Sequence, residues 1–320
     1  MVSQLNDIRA DIATELHRPA RRNYDRRHVT VRGFRDLFQA DLVEMIPYAD
    51  KNDNYRYLLT IIDVFSKYAW ARPLKTKSAA CVTHAMRDIL NSADGRIFKP
   101  PRFLQTDLGK EFYNATFKNM LKEFKISLYS VYSIKKVSVV ERFNRTLKTK
   151  MWRKFSALGT YRWINLLDDL LAEYNTSKHR TIQMKPADIT LQDEKKILKL
   201  HKSNHNNKTR CNVKFKVGDC VRISRLKGTF EKGYTANWSS ELFVVTKVEP
   251  TFPVTYKLRD YHGRSIQGGF YTEELQKVKH SDIYLVEKII RKRVGKVLVK
   301  WFGFPSSENS WEDEKNVILP

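Results

Sequence analysis

Residues 36–74 read DLFQADLVEMIPYADKNDNYRYLLTIIDVFSKYAWARPL, and the fold turns on how this stretch divides. Three runs rich in aliphatic and aromatic residues, DLFQADLVEM (36–45), YRYLLTIIDVF (55–65) and YAWARPL (68–74), are separated by the short polar breaks ADKNDN and SK. Short apolar runs bounded by turn residues predict strands, and breaks this short join strands that run antiparallel. After Lys75 the apolar spacing lengthens to a helical period as far as about Asn91. A strand RFLQTD (102–107), a helix from about Asn114 to Phe124, a strand SLYSVYS (127–133) and helices over 138–157 and 160–177 follow. The order βββαβαβαα predicts an α/β body, a mixed sheet with helices packed on its faces.

Acids stand in this body where a fold alone does not ask for them. Asp41 interrupts an apolar strand, Asp107 ends another just before the turn at Gly109, and Glu141 opens SVVERFNRTLK (138–148), whose other charges are all basic. A carboxylate in a sheet interior is costly unless it is paired or coordinates a cation. Taken singly, each reads as an edge or capping residue. Taken together, two strand aspartates and one helix glutamate are the oxygen ligands that hard divalent ions need in order to sit on a phosphodiester. Asn144, Arg145 and Lys148 follow Glu141 at i+3, i+4 and i+7, on the same helix face. A surface ion pair between Glu141 and Arg145 is the plainer reading of that spacing. Asp63 reads as a strand-end residue, Glu111 as part of a turn, and Asp168 and Asp169 as solvated helix acids.

The chain has 59 Lys and Arg against 35 Asp and Glu, a net charge of +24, which points to a polyanionic partner such as DNA. No run of 18 apolar residues and no signal-peptide pattern is present, so no membrane partner is expected. At 320 residues the chain is long enough for two or three domains. Residues 1–35 read as a basic N-terminal arm, with seven arginines and one aspartate between positions 17 and 35. Residues 36–192 form the α/β body, 193–212 a basic linker, 213–279 a small β barrel punctuated by turn signals, and 281–320 a third, β-rich unit. From 282 onward seven basic residues nearly balance six acidic ones, so the excess positive charge lies upstream. His201, His205, Cys211 and Cys220 hold the atoms of a zinc site at the wrong spacing, and Cys220 reads as a buried core thiol.

FQAD (38–41), QTDLGKEF (105–112) and VVERFNRTLK (139–148) resemble the three signature blocks of the retroviral-type integrase core, a member of the RNase H-like polynucleotidyl transferases. The resemblance covers roughly residues 35–190, and the 33 residues between Asp107 and Glu141 are close to that family's usual spacing. It implies an RNase H-like fold, with Asp41, Asp107 and Glu141 as catalytic metal ligands for Mg2+ or Mn2+, two ions in number. Asn144, Arg145 and Lys148 are then DNA-binding. Residues 213–279 are similar to the SH3-like barrels that follow such cores. Residues 283–311 resemble a chromodomain, which implies a methyl-lysine cage of Tyr284, Trp301 and Phe304 with Glu308 beside it; Phe304 replaces the usual tyrosine. The whole looks like the integrase of a mobile element, most similar to those of Maverick or Polinton transposons, with gypsy-type chromodomain retrotransposons as close relatives. The resemblance implies a nuclear homo-oligomer that processes DNA 3′ ends and transfers them into target DNA, its chromodomain drawn to methylated histone tails. The alternative is a domesticated chromatin- and DNA-binding protein without catalysis. The family's HHCC zinc module is not seen ahead of Arg18, which suggests a truncated or host-adopted copy or a lineage that begins differently, and Pro320 stands where a chromodomain's closing helix begins, as in a truncated domain.

Overall fold

The computed structural model of the protein describes residues 2–27, 29–92, 100–130, 138–203, 213–228 and 231–317. They fall into two units, one of residues 29–203 and one in which 2–27 fold together with 213–317. The first helix, α1 (Val2–His17), belongs to the latter.

In the central unit, β1 (Leu37–Glu44), β2 (Tyr57–Asp63) and β3 (Ala69–Leu74) form an antiparallel meander. α2 (Ala79–Asn91) then leads to β4 (Phe103–Thr106), and α3 (Ala115–Glu123) to β5 (Ser127–Ser130). β4 pairs parallel with β1 and β5 parallel with β4, giving one sheet in the order β3-β2-β1-β4-β5. Alternate residues of β2 go to opposite faces: Leu59 and Ile61 join α2 and α3 in one core, and Leu58 and Ile62 join the helices that follow in another. Both sheet faces are therefore covered, which is why these strands are apolar throughout rather than alternating. Asn114 starts α3 by accepting the Phe117 N–H at 2.8 Å.

α4 (Ser138–Leu158) and α5 (Leu167–Thr176) cover the second face. The helix expected from residue 160 starts only at Leu167, after a single 3-10 turn. Asn52 is the reason: its buried carbonyl accepts the N–H groups of Trp163 (2.6 Å) and Ile164 (3.1 Å), holding them out of a helix and driving Trp163 fully into the core. Two further expectations are corrected. Residues 193–212 are not simply a linker, because α6 (Glu194–Ser203) buries Ile197 against Val31, Leu37, Phe65, Ile182 and Ile189. Val31 places the end of the supposed basic arm in that same cluster.

In the other unit, β6 (Cys220–Ile223), β7 (Phe243–Glu249), β8 (Thr255–Arg259), β9 (Phe270–Tyr271) and β10 (Leu275–Lys277) form an antiparallel sheet in the order β10-β6-β7-β8-β9. Its core is Phe215, Val221, Val245, Tyr256, Leu258 and Leu275. β11 (Val286–Arg293), β12 (Lys296–Trp301) and β13 (Ser310–Asp313) make a separate three-stranded antiparallel sheet. After β13 the described chain makes one 3-10 turn, Glu314–Asn316.

The N-terminal residues are a docked helix rather than an arm. Ile8, Ile12 and Leu16 recur at helical spacing, and Ile12 and Leu16 are buried. The Leu16 carbonyl accepts N–H bonds from Asn237 (2.8 Å) and Trp238 (3.1 Å), so the open end of α1 is closed by the sheet module. One residue earlier Glu15 lies 3.5 Å from the Arg222 guanidinium, with both side chains over 90% buried. Arg222 also donates to the carbonyls of Ser239 and Ser240, each at 2.9 Å. Glu15→Ala leaves that guanidinium buried without its counter-charge and is expected to cost this unit about 3 kcal/mol in a denaturant melt. A loss under ~1 kcal/mol would mean that Arg222 is held by the two carbonyls alone.

Among the described residues no helix is long and apolar enough to cross a membrane. Of the four residues weighed for zinc, His205, Cys211 and the side chain of His201 lie outside the described residues. Cys220 is half-buried, and its thiol is pushed up by burial first.

Candidate functional site

Three elements bring the sequence-predicted acids into one neighbourhood. Asp41 lies in mid-strand on β1, Asp107 follows the last residue of β4, and Glu141 sits in the first turn of α4. Their relative placement is set by two glutamines, each two residues before an aspartate. Gln39 and Gln105 are direct neighbours across the parallel β1–β4 pair. Both are buried, and the Gln39 amide donates to the Gln105 carbonyl at 2.9 Å. The Gln39 carbonyl accepts the N–H groups of Val139 and Val140, each at 3.0 Å. These are amides of the first turn of α4, which lack partners within their own helix, so a side chain of β1 caps the helix that carries Glu141.

The three carboxylates share one field. Asp41 is pushed up to about 6, first by burial and then by the charges of Asp107 and Glu141. Its oxygens accept the Leu42 N–H at 2.9 Å and the Asn144 amide at 2.8 Å, both of which pull the other way. Asp107 accepts the Gly109 N–H at 3.1 Å, and Glu141 is exposed. The donor set is all oxygen and its mutual repulsion would be relieved by a cation, as hard divalent ions require. Asn144 carries a further sign: its amide is committed to Asp41, while its buried Oδ1 has no hydrogen-bond partner. Among the described residues, however, no three acidic, His or Cys side chains stand close enough to hold an ion as they are. The residues fit a divalent ion in kind and in charge.

A cleft of about 1070 Å³ runs from Asp41 and Glu141 along α4 past Asn144, Arg145 and Lys148. Sequence reasoning stopped at Lys148, yet the cleft continues past Thr149, Trp152, Arg153 and Ser156. The signal was present: 141, 145, 148, 152 and 156 follow one helix face, while Val140, Phe143, Leu147, Met151 and Phe155 turn into the core. Trp152 is 37% exposed, its ring propped edge-on by Tyr48 at 5.6 Å and by Phe155 at 5.2 Å. A propped, exposed ring between cationic side chains is a platform on which nucleic-acid bases stack. Arg145 makes no ion pair with Glu141 within 4.0 Å among the described residues. Asp63, read as a strand-end residue, is fully buried and accepts the N–H groups of Phe65 and Ser66 in the turn after β2.

In the other unit Tyr284 precedes β11, Trp301 ends β12, and Phe304 lies in the turn beyond it. Tyr284 meets Trp301 edge to face with centroids 6.1 Å apart, and Phe304 at 6.0 Å. The Trp301 indole N–H is anchored on Ser310 Oγ at 2.9 Å, leaving its ring to be oriented by the strand pair. Glu308 ends a 3-10 turn four residues after Phe304, and its carboxylate is engaged by Tyr261 and His262.

Residues 35–130 match the family described as integrase core domain, and residues 284–318 match the Chromo (CHRromatin Organisation MOdifier) domain. A putative uncharacterized transposon-derived protein of Caenorhabditis elegans is 32% identical over 200 residues, 62% of this chain and 66% of the relative. The Pol polyprotein of Radiation murine leukemia virus (strain Kaplan) is 33% identical over 143 residues, 43% of this chain and 23% of that protein. The chain thus spans under two thirds or, for the polyprotein, under a quarter of these curated relatives. Among solved structures, a chain of the simian T-cell lymphotropic virus intasome in complex with PP2A regulatory subunit B56 gamma superposes with a TM-score of 0.52 at 16% identity, over 81% of this chain and 83% of that one. At that identity the likeness speaks for the fold, a mixed-sheet RNase H-like core with further β modules. The sheet order, the two domain matches and the relatives agree: this chain carries an integrase core domain and a C-terminal chromodomain, and it is kin to transposon-derived and retroviral proteins.

Proposed function

We propose that the protein is the integrase of a mobile element, cutting the element's DNA near its 3′ ends and joining those ends to target DNA. One observation carries the reading: three carboxylates from β1, the end of β4 and the first turn of α4 share a field at the head of a basic cleft. Asp41, Asp107 and Glu141 would hold one or two Mg2+ or Mn2+ ions, which when bound supply charge neutralisation at a phosphodiester and a more acidic water. The protein's own residues do the positioning. Asn144 orients Asp41 through its amide, and Gln39 fixes the start of α4. Arg145 and Lys148 hold backbone phosphates of the DNA end, with the Trp152 ring further along the same track. Water attacks a phosphodiester near the 3′ end and releases the terminal nucleotides; the freed 3′ hydroxyl then attacks a target phosphodiester, and the target's own 3′ oxygen leaves. Both steps are in-line displacements at phosphorus, with no covalent bond to the protein.

Arg145→Ala and Lys148→Ala are each expected to weaken binding of an end oligonucleotide several-fold and to lower the slope of log K against log salt by about 1. A fluorescence-anisotropy titration at several salt concentrations measures both, and an unchanged slope would remove these residues from the phosphate track. Action on two element ends calls for more than one copy of the chain, working in the nucleus on DNA packed as chromatin. There the Tyr284, Trp301 and Phe304 rings would bind a methylated histone lysine by its cationic methyl-ammonium.

The test of the main reading is strand transfer of a labelled oligonucleotide bearing the element's end. Divalent-dependent joining is expected, and its loss in Glu141→Gln. A second reading, a domesticated chromatin- and DNA-binding protein, is favoured by the unassembled carboxylates. It prevails if the wild type joins no cognate ends with Mg2+ or Mn2+ yet still binds DNA and a methylated peptide.

A further inference from the structure

Glu308 stands beside the proposed cage, but its nearest partners come from the other sheet. The Tyr261 hydroxyl donates to its carboxylate, and His262 Nε2 lies 3.6 Å from the same oxygen. Tyr261 and His262 belong to the turn after β8, where their rings meet at a tilt of 36° with centroids 4.0 Å apart. The Tyr261 ring then meets Phe304 edge to face, centroids 6.1 Å apart at 79°. Since Phe304 meets Tyr284, and Tyr284 meets Trp301, four aromatic rings run in an unbroken series from the β6–β10 module into the chromodomain.

A second contact, independent of the first, seats the same turn. Gly303 has φ +79°, and a Cβ there would lie 2.2 Å from Ser240 Oγ and 2.6 Å from its Cβ. Only a glycine backbone comes so close, so the loop between Trp301 and Phe304 lies directly on the sheet module. Tyr261 is nevertheless 45% exposed, and its hydroxyl is taken up by a carboxylate. A ring with its polar end satisfied and much of its surface open is suited to meet an organic cation, and the carboxylate it holds adds the opposite charge.

We propose that Tyr261 is a fourth wall of the methyl-lysine site, contributed by the neighbouring sheet, and that its hydroxyl holds Glu308 toward the incoming methylated ammonium. The inference rests on the reading of Tyr284, Trp301 and Phe304 as a cage. It makes recognition a property of two modules together, so that loosening the sheet module weakens capture of the methylated lysine.

The experiment titrates the 320-residue chain with N-acetyl-trimethyl-lysine amide, and with its unmethylated twin, following saturation transfer to the ligand by NMR. Tyr261→Ala and Tyr261→Leu, the latter keeping bulk without a π face, are expected to weaken methyl-selective binding about fivefold or more. Tyr261→Phe keeps the ring and loses the hydroxyl, so a smaller loss is expected. Equal or tighter binding by Tyr261→Ala and Tyr261→Leu, with Trp301→Ala still destroying it, overturns the fourth wall and leaves the cage standing. No preference for the methylated ligand in the wild type, or no effect of Trp301→Ala, overturns the cage itself and this inference with it. Matching thermal melts of the Tyr261 variants and the wild type separate loss of the wall from loss of fold.

Discussion

Asp41→Asn is expected to end strand transfer and, in divalent-free buffer, to raise the melting temperature of the core unit. The opposed signs come from one cause. The Asp41 carboxyl is pushed from an ordinary 3.8 up to about 6 by burial and by the charges of Asp107 and Glu141. A carboxyl whose folded pKa is raised binds its proton more tightly when folded. Its favourable contribution is therefore complete below about 3.8 and is lost as the pH rises through about 6. At neutral pH the ionised group costs the core about 3 kcal/mol. Asparagine carries no charge but offers one acceptor oxygen to Leu42 and Asn144 where aspartate offers two, which returns about 1 kcal/mol. The net gain of about 2 kcal/mol corresponds to roughly 4–8 °C for a unit of this size.

The advantage of the variant should grow between pH 4 and pH 7 and stay level above that. Activity should fall at least about 100-fold if Asp41 holds the divalent ion as proposed, since the substitution removes an anionic ligand. Adding Mg2+ should stabilise the wild type and leave the variant nearly unmoved, because a ligand stabilises only the state that binds it. Scanning fluorimetry across pH, with and without the ion, reads all of this. A variant that melts at or below the wild-type temperature at pH 7 would show that neither burial nor its acidic neighbours make the Asp41 charge costly.

The second large effect is expected at Gln39, which touches no substrate in this reading. Gln39→Leu keeps bulk in the core but withdraws the acceptor of the Val139 and Val140 N–H groups and the donor to Gln105. Unsatisfied buried groups cost about 1–3 kcal/mol each, so a loss of roughly 3–5 kcal/mol is expected. Strand transfer should fall further than stability explains, because the first turn of α4 carries Glu141. A cycle with Gln105→Leu isolates the pair, and a coupling of about 1–2 kcal/mol is expected for groups in direct contact. Additive losses would mean that the two glutamines act separately, and full activity in Gln39→Leu at a permissive temperature would show that the cap does not position Glu141.

Much of this protein is legible in local pattern. The three apolar runs between 36 and 74 set the meander, because strand formation in a sheet buried on both faces needs only continuous apolar sequence between turns. Asp41 and Asp107 stand out because a charge in an apolar strand is visible against its neighbours, and Glu141 because it is the one acid in a basic stretch. The aromatic positions Tyr284, Trp301 and Phe304 are legible only through the resemblance of residues 283–311 to a chromodomain. The α1 helix has low contrast in the sequence: Ile8, Ile12 and Leu16 are a thin stripe beside an arginine-rich segment, and only a partner surface buries Ile12 and Leu16.

The sequence by itself determined the strand and helix order of residues 36–177, the chemical type of the three acids and the basic character of the face that follows Glu141. The tertiary structure alone decided that Gln39, in β1, caps a helix 100 residues away, and that Asn52 stops α5 from starting at residue 160. It decided as well that Glu15 pairs with Arg222 and that Tyr261 reaches Glu308. The division follows from the range of the forces. Periodicity, turn chemistry and local charge are written within a few residues of each other, whereas a buried polar group finds its partner only when distant segments meet and water is gone.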